Sequence, residues 1–155
     1  MRKRSKKYKP KPICTNPVGY VLEGMTLLAK HSPHVINLKI KIHTSLANLT
    51  RGKACRADMD RLISALNVSE ALYRLGFGAD YDAELRQGLD ALYAVCSRGA
   101  ATDKYILKAD EMKALNDAID LHDAQLEVVT VKDMEKAVML VEAEMKAKKA
   151  KVIKK

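Results

Sequence analysis

The chain has 155 residues, 48% of them hydrophobic and 30% charged. That length suits one globular domain, which can bury roughly 70% of the surface its unfolded chain exposes. The three cysteines, Cys14, Cys55 and Cys96, are an odd number and argue against a disulfide framework, and no apolar run is long enough for a signal or a membrane span. A reducing cytoplasm is the expected setting. Trp is absent and Phe occurs once, so the core must be built from Leu, Ile, Val, Met, Ala and Tyr.

The net charge of +9 is unevenly laid out. Residues 1–11 contribute +7, residues 146–155 contribute +6, and residues 12–145 carry −4. A mildly acidic body is thus flanked by two strongly basic segments. Blocks of like charge tend to be solvated and drawn to polyanions.

Residues 1–16 hold Pro10 and Pro12 among lysines and have no apolar period, so they are expected to form a disordered or extended arm. Asn16-Pro17 reads as a helix start, with Asn16 as cap. The spacing of Val21, Leu22, Met25, Leu28 and Ala29 predicts a short helix over Val18 to Lys30. Ser32-Pro33 repeats the start signal. Beyond it, Ile36, Leu38, Ile40 and Ile42 alternate like a strand, while Val35, Leu38, Ile42, Leu46 and Leu49 fit a helix ending near Gly52. The start signal and the continuation of the period to Leu49 favour the helix. A third helix begins near Asp58, with Met59, Leu62, Ile63, Leu66, Tyr73 and Leu75 as its apolar members, and stops at Gly76-Phe77-Gly78. A fourth runs from near Asp80 to Gly99 on Tyr81, Leu85, Leu89, Leu92, Val95 and Cys96. Gly88 lies on that face, where a close approach to a neighbouring helix would explain it.

Residues 110–145 carry the most regular pattern. Met112, Leu115, Ile119, His122, Leu126 and Val129 keep one seam on one side of a helix. Val131, Met134, Val138, Val141 and Met145 form a second seam, and Thr130 with Asp133 between them reads as a capping box. The fold expected is all-α: a single-domain bundle of five or six helices over residues 17–146, with a basic arm and a lysine-rich tail at 147–155.

No catalytic motif is legible. His122 has Asn116, Asp117, Asp120 and Asp123 nearby in sequence, but no second His or Cys at helical spacing, so a hydrogen-bonded core or boundary histidine is the plain expectation. His31 and His34 lack a cysteine pair and read as surface residues. Cys55 lies between Lys53 and Arg56, charges that favour a thiolate, yet no histidine base accompanies it. Gly76-Phe77-Gly78 has no strand before it, and Asp80 and Asp82 after it would repel phosphate. Asp117, Asp120, Asp123 and Glu127 read as a solvated acidic face. No metal, cofactor or enzymatic activity is expected.

The opening Met1-Arg2-Lys3-Arg4, Tyr8-Lys9-Pro10-Lys11 and Asn16-Pro17-Val18-Gly19-Tyr20-Val21-Leu22-Glu23 resembles the start of small hypothetical proteins of tailed phages and prophages of Proteobacteria. Leu121-His122-Asp123-Ala124-Gln125-Leu126 and Thr130-Val131-Lys132-Asp133 resemble the same group. The resemblance implies a phage origin and the host cytoplasm, and brings no activity or site residue with it. Charge layout and resemblance together lead to an expected non-enzymatic protein that binds nucleic acid or a host nucleoprotein complex. Arg2, Lys3, Arg4, Lys6, Lys7, Tyr8, Lys9 and Lys11 would make the contacts, the lysines by neutralising phosphates and Tyr8 by stacking. The alternative is a protein-only interaction module, homo-oligomeric or otherwise, with solubilising tails.

Overall fold

The computed structural model describes residues 17–28 and 33–147. Among them the chain is all-α, with α1 (Pro17–Gly24), α2 (Pro33–Thr50), α3 (Arg56–Arg74), a 3₁₀ turn (Ala79–Tyr81), α4 (Asp82–Gly99), α5 (Ala109–Val128) and α6 (Val131–Lys146). The basic arm, Asn16 and the residues after Ala147 lie outside the described residues. No helix among those described is long and apolar enough to cross a membrane.

The ambiguous stretch after Ser32 is helical. Val35, Ile42, Ser45, Leu46 and Leu49 are buried on one side of α2, whereas Ile36 and Ile40, which belong to the strand phase alone, are exposed; Leu38, expected on the helix seam, is exposed as well. The 3.6-residue period therefore decides which side chains are covered.

In α3 the expected seam holds through Leu66 and then shifts. Leu72 is fully buried, while Tyr73 is only half-buried and Leu75 is exposed. The reason is a second neighbour. The first half of α3 joins a cluster with Ile42, Leu49, Leu92, Leu115 and Ile119. The second half turns Ala71 and Leu72 to Val129 at the end of α5 and Ala137 within α6. Gly76 and Gly78 then reverse the chain at φ +98° and +84°, a backbone region that favours glycine.

Helices α4 and α5 pack most intimately at Gly88. An ideal Cβ built there would lie 2.3 Å from the Ala118 Cβ and 3.2 Å from the Ala114 carbonyl oxygen. The α5 seam is buried from Leu115 through Ile119, His122 and Leu126 to Val129, and Met112 at its start is half-buried.

Beyond the shift in α3, and Tyr81, which lies in the 3₁₀ turn and is exposed instead of joining the α4 face, two expectations need correction. The first helix ends at Gly24 instead of Lys30. Gly24 is a poor helix former, and the backbone beyond it bonds to the α5–α6 junction: Leu28 N donates to Val129 O at 2.8 Å, and Val131 N to Thr26 O at 3.1 Å. The second correction concerns α6. Its seam does not face the core squarely, because Ala137 is the one residue of α6 that is buried. The small side chain of Ala137 lets α6 lie close to Ala71 of α3. Met134 and Val141 are half-buried as a result, and Val138 and Met145 are exposed.

The capping box of α6 forms as the sequence indicates. Asp133 N donates to Thr130 Oγ1 at 3.2 Å, Thr130 N to Asp133 Oδ2 at 3.4 Å, and the Thr130 hydroxyl to Asp133 Oδ2 at 2.6 Å. Thr130→Ala should destabilise the protein by about 1 kcal/mol, the usual size of a lost N-cap. Urea unfolding of the variant measures it, and an unchanged midpoint would show that the junction is held by the backbone bonds to Thr26 and Leu28 instead.

Candidate functional site

Between the two apolar clusters lies a layer of buried polar side chains. Ser69 of α3 and Gln125 of α5 are its bonded pair. The Ser69 hydroxyl donates to Gln125 Oε1 at 2.6 Å, and Gln125 Nε2 donates to the carbonyl oxygens of Ser69 at 3.1 Å and Phe77 at 2.9 Å. Gln125 thus ties α3, α5 and the glycine turn together with its polar atoms satisfied. Neither residue stands out in the sequence, because a serine and a glutamine on helices are ordinarily surface residues.

His122 belongs to the same layer and is 1% exposed. It is a core histidine, as expected, but not a hydrogen-bonded one. Neither ring nitrogen has a hydrogen-bond partner among the described residues. Burial drives its pKa down to about 4, only partly opposed by Asp123 and reinforced by the nearby Lys39 and His43. The imidazole is therefore neutral at pH 7. The described residues contain no group of three or more His, Cys, Asp or Glu able to hold a metal.

The acidic residues of α5 are used unevenly. Asp123 and Glu127 pin α2: Lys39 Nζ lies 4.0 Å from Asp123 Oδ2 and 3.7 Å from Glu127 Oε1, and His43 Nε2 is 2.8 Å from Asp123 Oδ2. Lys39 also donates to the Asp123 carbonyl oxygen at 3.3 Å. Asp117 pairs with Lys113 within α5, and Asp120 is exposed. Asp123 and Glu127 hence fasten one helix to another, a role that reading them as a purely solvated face misses.

Cys55 is the N-cap of α3 and not part of a nucleophile–base pair. Its N–H donates to Asp58 Oδ2 at 3.1 Å and its thiol to the same oxygen at 3.4 Å. Ser45 and Arg61 reach Asp58 Oδ1 at 2.9 and 3.0 Å. Burial pushes the Asp58 carboxyl pKa up, but the Cys55 N–H and the Ser45, Cys55 and Asn48 side chains together hold it below the usual range. The carboxylate joins α2 to the start of α3. His34 is exposed, and His31 lies outside the described residues.

A cleft of about 660 Å³ opens between α3, α4 and α6. Its floor and walls include Ile63, Leu89, Leu92 and Leu140, and its rim carries Glu70, Arg74, Arg86 and Glu144. Glu70 Oε1 accepts from Arg86 at 2.8 Å and from Arg74 at 3.0 Å, and Arg74 also bonds Glu144. Arg86 stands 5.8 Å over the Tyr73 ring. These guanidiniums are neutralised by carboxylates on neighbouring helices, so they brace α3, α4 and α6 instead of presenting an anion site. Cys96 in the cleft has its thiol pKa pushed up to about 11, by burial first and the charge of Asp60 second. It stays protonated at neutral pH and is a poor nucleophile.

The arm residues Arg2, Lys3, Arg4, Lys6, Lys7, Tyr8, Lys9 and Lys11 lie outside the described residues. The helical domain thus displays a bracing network, a buried polar layer and an apolar cleft, but no acid–base–nucleophile set among the described residues. No known protein family, curated protein or solved structure matches the chain.

Proposed function

We propose that this is a non-enzymatic accessory protein of a phage or prophage that binds nucleic acid or a host nucleoprotein complex through its basic terminal segments. Inhibition of a host defence system is one use such binding would serve. The observation that carries the reading is the charge layout: +7 over residues 1–11 and +6 over residues 146–155, around a body of −4. Lysine and arginine neutralise phosphates and release counterions without reading bases, so affinity should be strongly salt-dependent and weakly sequence-dependent. Ion pairs such as Arg74–Glu70, Arg86–Glu70 and Arg98–Glu111 engage arginines of the body, which leaves the terminal segments as the densest source of positive charge in the sequence.

Removing residues 1–11 should weaken binding to a short duplex more than removing residues 147–155. Arg2 and Arg4 can make forked contacts to phosphate, and Pro10 and Pro12 reduce the entropy lost on ordering. The lysines at the other end follow the C-terminus of α6, where positive charge also serves the helix. Binding measured at several salt concentrations should lose slope by up to about 0.9 for each phosphate contact removed. Equal losses, or a larger loss from the C-terminal cut, defeat the ranking. Absence of salt-dependent binding by the intact protein defeats the proposal and leaves the protein-only module.

A further inference from the structure

We propose that the cleft between α3, α4 and α6 binds a small, uncharged, largely apolar molecule that carries one carbonyl or amide group, and that Asn67 recognises this group. The inference does not rest on nucleic-acid binding.

The helices bring three stripes together. Ile63, Asn67, Glu70 and Arg74 recur at steps of four, three and four on one side of α3, and Arg86, Leu89, Tyr93 and Cys96 at steps of three, four and three on one side of α4. Such steps keep side chains on one helical face. Leu140, Val141, Glu144 and Met145 of α6 supply the third wall. The cleft opens because α6 meets α3 through the small Ala137, which packs with Ala71 and Leu72, while Leu140 and Met145 further along stay 40% and 63% exposed. Its volume of about 660 Å³ falls inside the roughly 300–1,000 Å³ range of small-molecule sites.

Charge decides the class of ligand. The lining holds three arginines, Arg56, Arg74 and Arg86, and three carboxylates, Glu70, Asp90 and Glu144, which cancel. Four of the six are joined in one chain, in which Arg86 of α4 bonds Glu70 of α3, Glu70 bonds Arg74, and Arg74 bonds Glu144 of α6. Cys96 stays protonated and adds no charge. A charged ligand would leave its hydration for a lining with no net charge to offset the loss. The ion-pair chain also limits size. It crosses from α4 over α3 to α6 at the end of α3, so a helix laid along the whole cleft would have to break it, whereas a small molecule lies beside Ile63, Leu89 and Val141 without reaching it.

Asn67 supplies the polar contact. It is half-buried in the middle of the α3 stripe, and its carboxamide has no hydrogen-bond partner among the described residues. Its neighbours one turn away in the lining, Ile63 and Ala71, are apolar. A carboxamide offers two N–H donors and a carbonyl acceptor. A ligand carbonyl would accept from Asn67 Nδ2, and a ligand N–H would donate to Asn67 Oδ1. An apolar cleft with one oriented polar group is the usual form of such a site.

The test titrates the full, nuclease-treated chain with Prodan, an uncharged naphthyl ketone whose emission moves to the blue in apolar surroundings and back to the red when its carbonyl accepts a hydrogen bond. Saturable binding of one probe per chain is expected. Asn67→Leu should keep helical circular dichroism, weaken binding by about 3- to 10-fold, the size of one neutral hydrogen bond, and move the bound emission further to the blue. Leu140→Lys, at an exposed wall position, should weaken binding by about 10-fold by placing a charge against the probe; Met145→Lys replaces it should it fail to fold. Leu22→Ser, on the exposed face of α1 away from the cleft, should change nothing. Anilinonaphthalene sulfonate, an anion of similar size, should bind at least about 10-fold more weakly than Prodan. Absence of saturable binding overturns the proposal. So does binding that Leu22→Ser abolishes and Leu140→Lys spares, which puts the probe on α1. Unchanged affinity and emission in Asn67→Leu overturn recognition by the carboxamide, and equal or tighter binding of the sulfonate overturns the uncharged class.

Discussion

Gly88→Ala is expected to destabilise the protein by about 2–3 kcal/mol, the range of overpacked cores. In an isolated helix the same change would stabilise by roughly 1 kcal/mol. The sign reverses because the added methyl would sit 2.3 Å from the Ala118 Cβ and 3.2 Å from the Ala114 carbonyl oxygen. The second of these is backbone and cannot rotate away. The interior is close-packed, so relief requires α4 and α5 to separate, and these helices share the core around Leu92, Leu115 and Ile119. Chemical denaturation of the single variants, and of Gly88→Ala combined with Ala118→Gly, measures the effect. The double variant should recover part of the loss, giving a coupling of about 1–3 kcal/mol. A neutral or stabilising Gly88→Ala would mean that the helices do not cross closely at this residue.

Gly88 also shows what periodicity conveys. A glycine amid Leu85, Leu89 and Leu92 is unfavourable locally, so its presence points to a close neighbour. The α5 seam and the Thr130–Asp133 box are legible for the same reason: local chemistry and tertiary packing agree there. The sequence fails where one helix has two neighbours. Leu72 is buried instead of Tyr73 because α6 covers a second side of α3. The α6 seam is half uncovered because a small residue beside it, Ala137, sets the contact. No single-helix pattern contains that information. The bracing ion pairs are equally hidden, since Glu70 meets Arg86 across 16 residues and Arg74 meets Glu144 across 70. Ser69 and Gln125, 56 residues apart, could be found only by knowing that α3 and α5 cross there.

Stability should fall steeply between pH 6.5 and 4 through His122. Its folded pKa of about 4 lies below its ordinary value of 6.5, with burial as the leading cause. The unfolded chain therefore binds a proton in this interval that the folded chain refuses. Stability is full above pH 6.5, is lost as pH falls, and reaches its floor below pH 4. The displacement corresponds to about 3 kcal/mol at 1.36 kcal/mol per unit. The groups around the ring do not remove the effect: Asp123 favours the charged form, but Lys39 and His43 oppose it, and Asp123 Oδ2 is already bonded to His43. Asp58, Glu70, Glu111 and Asp133 have carboxyl pKa values held below their ordinary range. Their contributions are lost only at lower pH, through the carboxylate range and beneath it. His122→Met separates the two. Methionine fills a similar volume with an adaptable apolar side chain, and it removes an imidazole whose nitrogens have no hydrogen-bond partner among the described residues. The variant should be at least as stable as the parent at pH 7, and its stability should stay nearly level from pH 6.5 to about 4.5 before the carboxylates titrate. Urea unfolding across that range reads both curves. A parent whose stability is flat between pH 6.5 and 4.5, or a variant that keeps the full slope, would show that His122 is reached by solvent or bonded in solution, and that the polar layer between the clusters is less tightly closed than its burial indicates.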